Sequence, residues 1–180
     1  MLVLRKIRKD DLETIMRWRM DPEVTRYMYT DPRLTLEGQM AWFERISGDE
    51  TSRYWIIRYD GVDVGLLSFS GIDATNLRCS WAYYIGDQSM RGKGLGRELE
   101  CNAYDYAFDV LKVEKLCCEV FAFNDKVVRI HEKFGSRREG YYRDQIVKNG
   151  ERFDVVAMAI LKREWDVIKQ GMKYGEAEFE

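Results

Sequence analysis

The first part of the chain passes from a strand-like to a helix-like pattern of apolar residues. Residues 2–7 alternate apolar and basic side chains, which predicts a strand. Apolar residues then recur at helical spacing over 12–18, after Asp10, a residue type that favours the first position of a helix. A short helical segment over 22–27 and a third helix that begins at the Thr35 cap are predicted next.

Two dipeptides farther along the chain predict tight turns between strands. Asp60-Gly61 stands between "RYWIIRY" and "VDVGLLSFS", and Asn149-Gly150 stands between two strand-like runs near the C-terminus. A two-residue hairpin needs positive φ at both central positions, which these residue pairs adopt readily. The pattern therefore predicts two antiparallel hairpins.

The segment between the hairpins predicts strands that alternate with helices. "LRCSWAYYIG" is an aromatic-rich strand, and 95–111 has a helical apolar stripe. Residues 115–123 form a largely apolar run, which predicts a strand covered on both faces. The following helix is predicted to start at Asn124 and to close at Gly135. The whole order is that of a mixed α/β protein.

Composition narrows the class of protein. Hydrophobic residues make up 46% and charged residues 33% of 180 residues, a balance typical of one globular domain over 1–180, with 162–180 a helical or frayed tail. The net charge of −2 argues against a nucleic-acid partner, and the lack of a long apolar run argues against a membrane partner. Four cysteines without a CxxC pair, and no signal peptide, predict a cytoplasmic location and no metal site.

The stretch "RGKGLGR", residues 91–97, places three glycines and three cations between a strand and a helix. Such a loop points free backbone N–H groups in one direction, and the helix dipole adds partial positive charge, so the site suits a phosphate. Glycines let the backbone approach a ligand without Cβ clashes. The loop lacks the Gly-Lys-Ser/Thr end of a Walker A loop and the glycine order of a Rossmann loop.

The order Arg91-x-x-Gly94-x-Gly96, with "SWAYYIG" before it and "EVFAFNDKVVRIHEKFGSRREG" after it, resembles the GCN5-related N-acetyltransferases (GNAT) over nearly the whole chain. The resemblance implies a central, mostly antiparallel sheet with a splayed parallel strand pair and flanking helices. It also implies acetyl-CoA as co-substrate, without a metal. The residues that it assigns to acetyl-CoA are Tyr83, Tyr84, Ile85, Arg91, Gly92, Lys93, Gly94, Leu95, Gly96, Arg97 and Asn124.

Transfer of an acetyl group to an amine needs a neutral amine, a donor for the developing oxyanion and a proton for the leaving thiolate. The resemblance places His131, the only histidine, where many members carry the tyrosine that protonates this thiolate; a core histidine is the alternative. A backbone N–H near Tyr84-Ile85, at a bulge of the family, is expected to hold the oxyanion. Tyr83, Tyr84, Tyr141 and Tyr142 are competing acids. Ser80 is predicted to anchor a water chain, with Glu119 as an alternative carboxylate, and the sequence identifies no base.

Residues 12–30 resemble the subgroup that acetylates the 4-amino group of a UDP-linked dideoxy amino sugar in pseudaminic acid biosynthesis. The implied acceptor is a nucleotide sugar, with Arg17 and Arg19 on its phosphates and Trp18 and Tyr29 stacked on its rings. Solvated arginines and a core tryptophan are the alternative.

Other acceptors stay open at this point: a ribosomal-protein N-terminal amine or a polyamine. A non-catalytic acyl-CoA-binding sensor is a further alternative. A homodimer is compatible with the sequence, which does not determine the oligomeric state.

Overall fold

The computed structural model describes residues 1–90 and 94–180, which form one eight-stranded sheet and six α-helices. The strands are β1 (Leu2–Lys6), β2 (Arg53–Tyr59), β3 (Val62–Asp73), β4 (Arg78–Ile85), β5 (Lys115–Phe121), β6 (Arg137–Lys148), β7 (Glu151–Leu161) and β8 (Glu178–Phe179). The helices are α1 (Leu12–Met20), α2 (Pro22–Thr25), α3 (Leu36–Ser47), α4 (Leu95–Asp105), α5 (Asp125–Lys133) and α6 (Lys162–Ile168). The strand order is β6-β7-β5-β4-β3-β2-β1-β8.

The sheet has the expected mixed character. β4 pairs with β5 and β1 pairs with β8 in parallel, and the other neighbours are antiparallel. Both predicted hairpins are confirmed, because Asp60 and Gly61 have φ of 47° and 84°, and Asn149 and Gly150 have φ of 52° and 80°. The predicted α/β fold with a mostly antiparallel sheet is therefore confirmed.

The helices cover the sheet on two faces. On one face, α4, α5 and α6 bury Leu99, Val128 and Trp165 in the main core. On the other, α1 packs Leu12 and Ile15 against the sheet in a smaller core, with α3 beside it. We call the first the core face and the second the acceptor face.

The start of α1 differs from the prediction. A 3₁₀ turn over Lys9–Asp11 precedes α1, and Asp11 rather than Asp10 accepts the N–H of Arg8, at 2.7 Å. The same carboxylate binds the buried guanidinium of Arg5, at 2.6 and 2.8 Å. The ion pair with Arg5 favours Asp11 over Asp10 at the end of the turn. A capping pattern in the sequence does not show this contact.

Two other elements differ in extent. The helix predicted over 95–111 is α4 followed by a π-helical turn, Tyr106–Val110. β5 ends at Phe121 and is not covered on both faces, because Glu119 is exposed. The exposure follows from the acceptor face, where α1–α3 leave this part of the strand open.

The C-terminal tail starts as the expected helix but ends as a strand. β8 pairs with β1 through Val3↔Glu178 and Leu4↔Phe179. The ring of Phe179 stacks on Tyr106 with a centroid distance of 4.3 Å. The tail thus covers the edge of the sheet instead of fraying.

Within the described ranges, no helix is long and apolar enough to span a membrane.

Asn102 anchors this tail to α4, and its replacement tests the anchor. The amide of this buried residue donates to the Gly175 carbonyl and accepts the Ala177 N–H, each at 2.8 Å. Asn102→Ala leaves both main-chain groups without these partners, so the free energy of unfolding should fall by about 1–3 kcal/mol. Chemical denaturation measures the change. The exposed change Gln170→Ala should stay within about 0.5 kcal/mol, and equal stabilities for both variants would contradict the anchor.

Candidate active site

The parallel strands β4 and β5 pair over a short stretch and then separate. Their register runs from Arg78↔Lys115 to Ser80↔Cys117. β4 stays paired with β3 up to Ile85, and β5 stays paired with β7 up to Phe121. Because each strand is held by its outer neighbour, a gap opens between their carboxyl ends.

Main-chain groups of β4 face this gap. The N–H of Gly86 donates to the Val64 carbonyl at 2.8 Å, so Gly86 turns its main chain toward β3. In an antiparallel pair every second residue does the same, and the residues between them turn away. Tyr83 and Ile85 therefore offer their N–H and C=O groups to the gap, whereas Tyr84 directs its main chain toward β3.

The bulge expected at Tyr84-Ile85 does not interrupt the paired part of β4, whose register with β3 is regular from Gly65↔Ile85 to Ser70↔Ser80. Directly after Ile85, the N–H groups of Gly86 and Asp87 both donate to the Val64 carbonyl, at 2.8 and 3.0 Å, which is the pattern of a bulge. Ordinary alternation turns the N–H of Ile85 into the gap.

The first turn of α4 lies beside the carboxyl-terminal half of β4. Gly94 precedes the helix with φ 82°, and a Cβ there would meet nothing within 4 Å. A Cβ on Gly96 would lie 3.6 Å from the Tyr83 hydroxyl. The N–H groups of Leu95 and Gly96 have no acceptor inside the helix, since they belong to its first turn. Such a turn, next to a gap lined by main-chain amides, fits a ligand with a phosphate and an extended amide arm.

The remaining loop predictions are placed as follows. Arg97 is exposed in the first turn of α4, and its N–H donates to the Gly94 carbonyl at 3.1 Å. Arg91, Gly92 and Lys93 lie outside the described residues.

Asn124 stands at the end of β5, where the gap is widest. Its N–H donates to the Phe121 carbonyl at 2.9 Å, and its own carbonyl accepts the N–H of Val127 at 3.0 Å. Its side chain makes no capping hydrogen bond to α5. The helix start therefore uses the main chain of Asn124, and its amide side chain has no capping role.

His131 lies on the core face, inside a buried polar cluster. It is 5% exposed and packs edge-on against Trp81, with ring centroids 5.5 Å apart. Its Nδ1 is 3.0 Å from Oε1 of Glu100, which is 0% exposed. The two atoms fall short of hydrogen-bond alignment, and neither has another partner within 1–90 and 94–180. The Tyr104 hydroxyl donates to Oε2 of Glu100 at 3.1 Å and lies 3.0 Å from Oγ of Ser136.

Sequence reasoning missed Glu100. It lies on α4 next to Leu99 and four residues before Tyr104, within a run that is otherwise buried. A carboxylate inside an apolar helical stripe was the available signal. Its partner on α5 is set by tertiary packing and is not visible in the spacing.

Three titratable groups around Glu100, namely Tyr83, Tyr104 and Cys118, are held in their neutral forms. Burial, and then the nearby Glu100 carboxylate, raises the pKa of the Tyr83 and Tyr104 hydroxyls above their usual range. The same two causes raise the pKa of the Cys118 thiol to about 12. At neutral pH these three groups keep their protons.

The acceptor face carries Ser80 and Tyr84, which are the other predicted catalytic residues. It also carries the predicted acceptor-binding residue Tyr29 and the alternative carboxylate Glu119. The Tyr29 hydroxyl donates to Oε2 of Glu119 at 2.6 Å, and its ring lies 5.2 Å from that of Phe121. Burial, and then the hydrogen bond to Glu119, raises the pKa of Tyr29. Ser80 is exposed where the pairing of β4 with β5 ends. The Tyr84 hydroxyl is buried without a hydrogen-bond partner in the described part of the chain.

The structure does not bring Arg17 and Arg19 together. Arg17 lines a cavity of about 670 Å³ and donates to Oγ1 of Thr14 at 3.4 Å. Arg19 instead donates to Sδ of Met28 and, at 3.4 Å, to Oγ1 of Thr30. Side chains two residues apart do not share a helix face.

Trp18, between these arginines, is 7% exposed and sits in the smaller core against Tyr84, with ring centroids 6.5 Å apart. Its ring also lines the cavity beside Arg17.

A second cavity of about 710 Å³ opens between α2 and the β6–β7 hairpin, next to the end of β5. Its aromatic wall is formed by Phe121, Phe123 and Phe153, whose ring centroids lie 5.0–5.6 Å apart. The half-buried Lys148 closes one side, where it donates to the Thr25 carbonyl at 2.6 Å and pairs with Asp31 at 3.0 Å. Sequence reasoning did not find this clamp, since its partners lie more than a hundred residues apart.

No group of three or more His, Cys, Asp or Glu side chains in 1–90 and 94–180 is arranged to hold a metal ion. The fit described above concerns an organic ligand with a phosphate.

Comparisons with known proteins agree with this site. Residues 1–137 match the model of the acetyltransferase (GNAT) domain. Spermidine N(1)-acetyltransferase of Escherichia coli is 25% identical over 162 residues, which cover 90% of this chain and 87% of that protein. Acetyltransferase PseH of Campylobacter jejuni is 25% identical over 129 residues, which cover 71% of this chain and 78% of that protein.

Among solved structures, spermidine N-acetyltransferase from Vibrio cholerae in complex with CoA and spermine superposes with a TM-score of 0.86. Its sequence identity is 24%, and the match covers 91% of this chain and 97% of that one. This likeness supports the fold, and the family match carries the activity. The chain therefore belongs to the GNAT acetyltransferase family and is an acetyl-CoA-dependent N-acetyltransferase.

Proposed function

We propose that the protein transfers the acetyl group of acetyl-CoA to a primary amine of a polyamine such as spermidine. The observation that carries this choice is Glu119, an exposed carboxylate on the acceptor face at the edge of the gap. Its hydrogen bond comes from the neutral Tyr29 hydroxyl, and no basic side chain in the described residues forms an ion pair with it. A polycation suits a carboxylate that keeps its charge uncompensated.

The neighbouring cavity supports an extended cation. Phe121 lies two residues after Glu119 and begins the aromatic wall of that cavity. Aromatic faces attract alkylammonium groups through cation–π contacts. The cavity also holds Glu151 and Arg26, while the charge of Lys148 is compensated by Asp31. The spermidine acetyltransferases among the relatives are similar over nearly the whole chain, which favours the same class of acceptor.

A nucleotide sugar is the second candidate, and the likeness to PseH supports it. Arg17 and Arg19 point into different surroundings, so they do not form a joint grip on a diphosphate. The site therefore gives this acceptor less support than the pattern of residues 12–30 suggested.

In the proposed reaction the gap holds the pantetheine arm against the main chain of Tyr83 and Ile85. The first turn of α4, from Gly94 to Arg97, faces the diphosphate together with the predicted Arg91, Gly92 and Lys93. The amide of Asn124 binds the arm from the β5 side. Glu119 holds the acceptor ammonium, and His131 supplies a proton to the departing sulfur.

An acceptor screen tests the substrate class. Spermidine should release free thiol from acetyl-CoA at a kcat/KM at least about tenfold higher than a UDP-linked amino sugar or a peptide N-terminus, because a tenfold ratio needs only about 1.4 kcal/mol of differential binding. A thiol-detecting assay at saturating acetyl-CoA compares the three amines. A clear preference for the sugar or the peptide would contradict the polyamine proposal and leave the enzyme class intact.

Glu119→Gln tests the acceptor carboxylate. Because the variant keeps the shape and removes the charge, the KM for spermidine should rise about tenfold, while the Kd of acetyl-CoA stays unchanged. Glu44→Gln, at an exposed position on α3, is the matched control and should match wild type. The role of Glu119 is ruled out if both variants give the same KM for spermidine.

Gly94 tests the phosphate site by a pair of variants. Asp and Asn are nearly the same size and both tolerate the positive φ at this position, so they differ mainly in charge. Gly94→Asp should weaken acetyl-CoA binding about tenfold more than Gly94→Asn, because its carboxylate faces a diphosphate. Calorimetric titration of both folded variants gives the Kd. Equal constants would remove the diphosphate from this turn.

A further inference from the structure

Packing alone does not explain why Glu100 and His131 are buried side by side. An isolated carboxylate in a protein interior is strongly unfavourable unless it is paired and hydrogen-bonded. Glu100 is fully buried, and its two oxygens face two donors, the Tyr104 hydroxyl and Nδ1 of His131. Only the second of these donors can carry a positive charge.

The other groups around the pair do not compete for this role. Tyr83 approaches from β4, Tyr104 from α4 and Cys118 from β5, and burial raises the pKa of all three. At neutral pH they keep their protons, and Ser136 adds only a hydroxyl next to Tyr104. Among these described neighbours of Glu100, the imidazole is the group that can carry a compensating positive charge.

The ring of His131 is also fixed beside the gap. Trp81, which packs edge-on against it, follows Ser80, the last residue at which β4 and β5 are paired. Nδ1 faces Glu100, so the ring's other nitrogen, Nε2, is left for a second partner. The hydrogen bond made by one imidazole nitrogen sets which form the ring adopts at the other.

We propose that Glu100 is a positioning residue that acts through His131: its carboxylate holds the ring in place and keeps a proton on Nδ1, so that the proton that His131 gives to the coenzyme A sulfur comes from Nε2. This role rests on the proposed acetyl transfer. The amine nitrogen bonds to the thioester carbon, the C–S bond breaks with its electron pair on sulfur, and the Nε2 proton moves to sulfur. The amine releases one proton to solvent, and solvent protonates the ring again.

The single histidine makes the pair directly observable by NMR. In protein labelled with ¹⁵N-histidine, one set of ring signals reports on His131. We expect the neutral ring to carry its proton on Nδ1. A neutral ring protonated at Nε2 instead of Nδ1 in the wild type would overturn the proposal without any variant or acceptor.

Glu100→Gln removes the charge and keeps the shape. In the variant the neutral ring should no longer carry its proton on Nδ1 alone. With spermidine, kcat should fall ~10-fold or more while the KM stays unchanged, within the range of general acid catalysis. Ser136→Ala, in the same cluster but away from the imidazole, should lower stability and leave kcat and the proton position unchanged. Identical proton positions and identical kcat values for Glu100→Gln and wild type would overturn the proposal.

A double-variant comparison separates positioning from a merely structural role. His131→Gln keeps a donor for Glu100, whereas His131→Phe would leave the buried carboxylate without one. Adding Glu100→Gln to His131→Gln should change kcat by less than about twofold, because the route through the imidazole is already lost. If Glu100→Gln lowered kcat equally in the wild type and in the His131→Gln variant, the positioning role would be refuted. If no amine is turned over, the proposed function fails, and the position of the ring proton still decides on the pair.

Discussion

The divergence of β4 and β5 is the constraint on which the rest of the site depends. Each strand is fully paired on its outer side, with β3 or with β7, and the two part after Ser80↔Cys117. Main-chain N–H and C=O groups require partners, so a sheet that opens in its middle leaves polar groups along the gap for a ligand or water. The carboxyl ends of both strands border this gap, and the first turn of α4 and Asn124 lie beside them.

The gap also separates two environments of different character. On the core face the side chains are packed, and the buried Glu100 carboxyl group lies 3.0 Å from the His131 ring. On the acceptor face, Glu119 is exposed and Tyr29 is half-buried beside an aromatic wall. Acetyl transfer removes a proton from nitrogen and delivers one to sulfur, and the two environments suit these two ends of the reaction. In the proposed mechanism the open face receives the proton of the amine, and His131 on the packed face supplies one to the sulfur.

The elements that the sequence predicts well are those decided by neighbours along the chain. Asp60-Gly61 and Asn149-Gly150 have positive φ because Asp, Asn and Gly tolerate this conformation. Gly135 closes α5 for the same reason. Asp11, by contrast, replaces Asp10 because of Arg5, and β8 exists because of its pairing with β1.

The same distinction applies to the site. The glycine turn is visible as a local pattern, whereas Glu100 and Lys148 gain their roles from partners on other elements. The strand divergence was expected only from a family resemblance, since no residue spacing encodes it.

The choice of acceptor depends on which charges are already used. From the sequence, Arg17 and Arg19 were predicted to bind phosphates together, but helical geometry places residues two apart on different sides. Lys148 is compensated by Asp31 and by carbonyls, and it holds the hairpin against the segment after α2. Glu119 meets only a neutral hydroxyl in the described residues. Glu119 therefore offers an uncompensated negative charge on the acceptor face, which favours an acceptor that arrives as a cation over one that carries a diphosphate.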